Sequence, residues 1–137
     1  MLGVTTPDLS LPSAAYLNLD GTSFLPALKN KAIERSKPLV WVYYAALNER
    51  KVAMRDGDWK VLAKLNINTL RSVDSRNAAQ VKAAILSDFQ VFKITEDIGE
   101  RHDLSGSQPE KLAELKQRLT TYYRDLIEDS HFRSIKR

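Results

Sequence analysis

Residues 51–65 read Lys-Val-Ala-Met-Arg-Asp-Gly-Asp-Trp-Lys-Val-Leu-Ala-Lys-Leu, two short apolar-rich runs on either side of Asp56-Gly57. Asp-Gly between such runs is among the strongest local signals for a β-hairpin. A type I′ turn needs positive φ at both central residues, which Asp tolerates and Gly adopts freely, so the turn is expected at Asp56-Gly57. Val52 and Met54 alternate with Ala53 and Arg55, and Trp59, Val61 and Ala63 alternate with Lys60, Leu62 and Lys64. This period of two predicts a strand pair with one face covered and the other half covered.

The remaining elements follow from similar signals. Ser23 is placed to cap a short helix running to about Asn30, with Pro26 in its first turn, where a missing N–H is harmless. Pro38 closes a charged connector, and residues 39–44 (Leu-Val-Trp-Val-Tyr-Tyr) are β-branched and aromatic, as in a strand. Residues 66–76 are polar and irregular, and 77–86 suit a short helix or an insertion. Residues 89–94 alternate as a fourth strand.

Ser107-Gln108-Pro109-Glu110 has the form of a capping box, with Ser107 at N-cap and Glu110 at N3. Behind it Leu112, Leu115, Leu119, Tyr122 and Leu126 recur at spacings of three and four, marking one helix face. Each such side chain contributes about 1.5–3 kcal/mol when buried, so the helix is expected to pack on the sheet. The expected fold is α+β: about four antiparallel strands under one long C-terminal helix. Residues 1–37 are expected as an irregular segment, 38–129 as the subdomain and 130–137 as a basic tail.

Charge and composition narrow the function classes. The chain has no Cys, which excludes disulfides, Cys-ligated zinc and thiol chemistry from its 137 residues. Net charge is +4, but residues 38–129 are balanced, and the last eight carry Arg133, Lys136 and Arg137 without an acid. A basic tail without a basic face bearing stacking aromatics argues against nucleic-acid binding. No apolar run approaches membrane-spanning length, and no export signal follows Met1, which leaves the compartment open.

Chemistry-bearing clusters are sparse. His102 and His131 have no metal-ligand partner at helical spacing and read as surface histidines. Asp97, Glu100 and Asp103 surround Gly99 but lack the ligand number and spacing of a calcium loop, so turn-forming acids are expected. Tyr43 and Tyr44 are adjacent on a strand and point to opposite faces, so at least one is expected to pack.

Three stretches in order resemble the C-terminal part of formylglycine-dependent sulfatases, the arylsulfatase-like enzymes of the alkaline-phosphatase superfamily. Leu19-Asp20-Gly21-Thr22-Ser23-Phe24-Leu25-Pro26-Ala27-Leu28 is similar to that family's DGxSLLPLL segment. Pro38-Leu39-Val40-Trp41 and Val52-Ala53-Met54-Arg55-Asp56-Gly57-Asp58-Trp59-Lys60-Val61-Leu62 are similar to PLYWEY…AVRDGDWKLV. Val91-Phe92-Lys93-Ile94-Thr95-Glu96-Asp97-Ile98-Gly99-Glu100-Arg101-His102-Asp103-Leu104 is similar to LYDLxxDIGExxDLA, and residues 109–119 to PEKLAELKxRL.

The resemblance implies the small C-terminal subdomain of a sulfuric ester hydrolase, acting by analogy on a sulfated carbohydrate. Family catalysis uses a formylglycine made from a C/S-x-P-x-R motif beside a calcium ion, a hydrated aldehyde next to a cation that neutralises sulfate charge. Both are expected in the catalytic domain rather than here, so this chain alone is expected to be inactive. Ser10-Leu11-Pro12-Ser13-Ala14 imitates the motif but has Ala14 where Arg is required. The family's Trp-Glu-His strand is Trp41-Val42-Tyr43 here, so Tyr43 and Lys51 remain as candidate substrate-binding residues. The implied partner is the catalytic domain, or a second copy, met through an uncovered sheet face that includes Trp41, Tyr43 or Tyr44, and Phe89 or Val91. The alternative is a free-standing protein-interaction module built on the same layer.

Overall fold

A computed structural model describes residues 21–47 and 49–130, which divide into two compact units meeting between Lys37 and Pro38. Ser10 to Ala14, His131 and the basic tail lie outside the described residues. In the first unit a single turn of helix, α1 (Leu25–Leu28), has Phe24 rather than the expected Ser23 as its N-cap, although the Ser23 hydroxyl accepts from the Leu25 N–H at 3.4 Å. The helix ends earlier than expected from its spacing and buries none of its side chains.

The second unit is an antiparallel meander, β1 (Leu39–Val42), β2 (Arg50–Asp56), β3 (Trp59–Leu65) and β4 (Leu86–Lys93), in the order β1-β2-β3-β4. With α3 (Pro109–Glu128) packed on β3 and β4, it is the α+β layer that hydrophobic period predicts. β1 is two residues shorter than expected, and β4 begins three residues earlier, directly after α2 (Ala78–Lys82).

The hairpin turn lies one residue later than expected. Asp56 pairs with Trp59, so the two loop residues are Gly57 and Asp58. Gly57 has φ 55° and Asp58 is not in the left-handed region, so only the first central position requires glycine. That is the requirement of a II′ turn rather than I′. Asp56 instead ends β2 and pairs with Arg118 on the helix, while Lys111 lies 5.5 Å from the Trp59 ring centroid. Both contacts tie α3 to the hairpin.

Cross-strand register sorts the two faces. Val40, Met54, Val61 and Val91 form one row, with Val42, Val52 and Ala63 beside it, and these side chains meet the helix. Trp41, Ala53, Leu62 and Gln90 form a row on the other face, next to Leu39, Arg55, Lys60 and Phe92. Phe89 and Val91 therefore belong to the helix-covered face, not to the uncovered face where they were expected. Tyr44 also packs against the core, whereas Tyr43 is 65% exposed and Trp41 45%.

The buried side of α3 is Leu115, Leu119, Tyr123 and Ile127, a run of i+4 steps. Tyr122 is half-buried and Leu126 is 49% exposed, so the expected stripe holds for its first half and then passes to the neighbouring residues. A strict four-residue row tilts across the helix axis, and the helix follows it as it crosses the twisted sheet. The capping box does not form. Gln108 is the N-cap, and the Ser107 hydroxyl donates to the Leu104 carbonyl at 3.3 Å, one position too early to reach the first turn.

The outer edge of β4 is closed at Val91. Val91 donates its N–H to Asp103 Oδ1 at 3.1 Å, and the Leu104 N–H donates to the Val91 carbonyl at 2.8 Å. Such closure suppresses edge-to-edge pairing. Among the described residues, no helix is long and apolar enough to cross a membrane.

Candidate functional site

β2 and β4 each depart from regular pairing, and both departures face the same residue of β3. Arg50 pairs with Lys64 while Val52 pairs with Ala63, so Lys51 is the extra residue of a bulge. On the other side Leu62 pairs with Gln90 and Lys64 with Ser87, with Asp88 held at φ 47° inside the irregularity. Lys64 thus sits between two bulges. Its Nζ lies 2.7 Å from Glu49 Oε2 and 2.9 Å from Asp88 Oδ2.

The electrostatics follow from this geometry. The hydrogen bonds and charge of Lys64 hold both carboxyls below their ordinary range, with Lys51 adding to the effect at Glu49 and Arg50 at Asp88. The two carboxylates in turn raise the Lys64 ammonium. Three cations, Arg50, Lys51 and Lys64, thus face two anions, which leaves an excess of one positive charge.

Lys51 is 5% exposed, an unusual position for lysine, and its ammonium has no ion pair among the described residues. Arg50 Nε is buried without a hydrogen-bond partner among them. The Tyr43 N–H donates to the Lys51 carbonyl at 2.8 Å, which sets Tyr43, just past the end of β1, opposite Lys51 of β2. Glu49, Arg50, Lys64 and Asp88 were not among those candidates. Bulges break the period of two, so no spacing rule points to them; the clustering of opposite charges at the strand ends is the only trace they leave.

The excess of positive charge suits an anion. The cluster carries guanidinium, ammonium and phenol groups. The acids around Gly99 are each engaged within the turn or with a neighbouring strand. Asp97 accepts from the N–H groups of Arg101 at 2.7 Å and His102 at 2.8 Å, Asp103 accepts from Val91 and Ser105, and Glu100 pairs with Lys60 at 2.5 Å. No group of three or more potential metal ligands converges among the described residues. His102 is exposed, with its Nδ1 3.5 Å from Asp97. Neither a protein-family model nor a curated protein matches the chain.

Proposed function

We propose that the chain is the C-terminal subdomain of a formylglycine-dependent sulfatase and that its bulge cluster receives an anionic group of the substrate. The support is the placement of the stretches that carry the resemblance. Residues 38–62 supply β1, β2 and most of β3; residues 91–104 supply the end of β4 and the turn that closes its edge; residues 109–119 open α3. Two of the three stretches thus become consecutive parts of one layer, while the first, which ends in α1, belongs to the other unit.

On this reading the formylglycine and the calcium ion belong to the catalytic domain, and the residues here only bind and orient. Lys51, with Arg50 beside it, supplies positive charge, and Tyr43 supplies a phenol O–H from just past the end of β1. A sulfated carbohydrate is the substrate class by analogy with the family. The partner surface is the face bearing Leu39 and Trp41, both exposed. The same exposed pair favours the second reading, a free-standing interaction module that binds protein through this face.

Sedimentation velocity separates the two. The chain is mixed with the catalytic half of such a sulfatase, prepared without its own C-terminal subdomain. A one-to-one complex that Trp41→Asp weakens is expected; the absence of any complex with the folded chain overturns the reading.

A further inference from the structure

An open groove of about 590 Å³ lies between the C-terminal half of α3 and the α2–β4 corner. Its size is that of a small-molecule site. Lys116, Thr120, Arg124 and Glu128 follow one another at i+4 and form one wall. Tyr123, Ile127, Leu86 and Phe89 form an apolar floor, and Ile85, 64% exposed, stands opposite the helix.

The cations of this wall are underused. Among the described residues neither Lys116 nor Arg124 joins an ion pair, and the Lys116 ammonium instead lies 5.3 Å from the Phe89 ring centroid. An ammonium over a ring gains less than one beside a carboxylate. Glu128 is the single acid of the lining beside these two cations. The groove is therefore apolar below and positive at the rim.

We propose that this groove binds an amphipathic anion of the fatty-carboxylate class, with its chain on Phe89, Leu86 and Ile85 and its carboxylate between Lys116 and Arg124. A peptide suits it less well. The Thr120 hydroxyl already donates to the Lys116 carbonyl at 2.8 Å and so is not free to donate to a peptide backbone. A sulfated sugar, polar all round, does not match the floor. The site is separate from the bulge cluster and does not rest on the sulfatase reading.

Calorimetric titration of the full chain with laurate, below its micelle concentration, tests the proposal. Saturable one-to-one binding is expected, with dodecyltrimethylammonium binding at least about tenfold more weakly because the rim is positive. The Lys116→Glu/Arg124→Glu variant should weaken laurate roughly tenfold or more while its circular dichroism is unchanged. Should that variant misfold, laurate-induced amide shifts in the unaltered chain provide the test, and they should centre on Ile85, Phe89 and Thr120. No saturation, equal binding of the cationic amphiphile, insensitivity to charge reversal, or shifts located elsewhere overturns the proposal.

Discussion

The backbone N–H of Tyr43 donates to the carbonyl oxygen of Lys51 at 2.8 Å, across the extra residue that the β2 bulge inserts. Because the bond is made by main-chain atoms, it holds β1 against the bulge whatever the two side chains are. The Lys51 side chain then has no part in that bond, and most of its stem is buried. Lys51→Met should therefore leave stability within about 1 kcal/mol of the original or raise it, since the apolar stem is kept and the ammonium removed makes no ion pair. Urea denaturation checks this, and a loss well beyond that range would show that the ammonium holds the fold.

Asp74 is the acid most strongly bound into the loop before α2. It accepts from Arg76 N at 2.9 Å, Nε at 3.0 Å and NH2 at 2.8 Å, with Ser72 Oγ at 3.4 Å. The Arg76 hydrogen bonds lead in holding its carboxyl down, at about 2 against an ordinary 3.8. A carboxyl depressed by folding contributes stability that is fully present above the unfolded value and is lost as pH falls through the folded one. The 72–77 loop should hold at pH 4 and loosen between about 3.8 and 2. Carboxyl carbon shifts followed by NMR should place the Asp74 titration there, and Arg76→Gln should move it upward.

Gly57 is the one described glycine in the left-handed region, and a Cβ there meets nothing within 4 Å. The cost of a substitution is therefore conformational rather than steric crowding. Gly57→Ala should destabilise by about 1–2 kcal/mol. Thermal unfolding of Gly57→Ala beside Asp58→Ala checks this, since Asp58→Ala should cost far less.

The C-terminal half of α3 separates two helix faces that differ by one residue. Ile127 is buried against the core and Leu126 is 49% exposed. Ile127→Ala should cost about 2 kcal/mol or more, and Leu126→Ala less than about 1. Equal losses in chemical denaturation would place the helix in the orientation that the Tyr122 and Leu126 spacing suggested.

That difference shows where local reasoning stops. Alternation in 51–65 and the spacing of Leu112, Leu115 and Leu119 are direct records of burial, so the sheet, the helix and their contact were legible. Further along, Tyr122 and Tyr123, and Leu126 and Ile127, are neighbours of nearly equal hydrophobicity, and only the twist of the sheet chooses between them. The capping residues at 107–110 had the right types one position out of place. Tyr43 and Lys51 were found through resemblance, whereas Glu49, Arg50, Lys64 and Asp88 come together through two bulges facing one strand. Beyond the clustering of opposite charges at the strand ends, nothing in the residue pattern encodes that convergence.

Hydrolysis of a chromogenic aryl sulfate, measured on the catalytic half of a sulfatase with and without this chain, tests the central claim most directly. The chain alone should turn over nothing, and the mixture should recover activity. Lys51→Glu should still form the complex but lose about tenfold or more in kcat/KM, as expected when a substrate contact changes sign. A complex that forms without recovering hydrolysis, or recovery untouched by Lys51→Glu, would contradict the account.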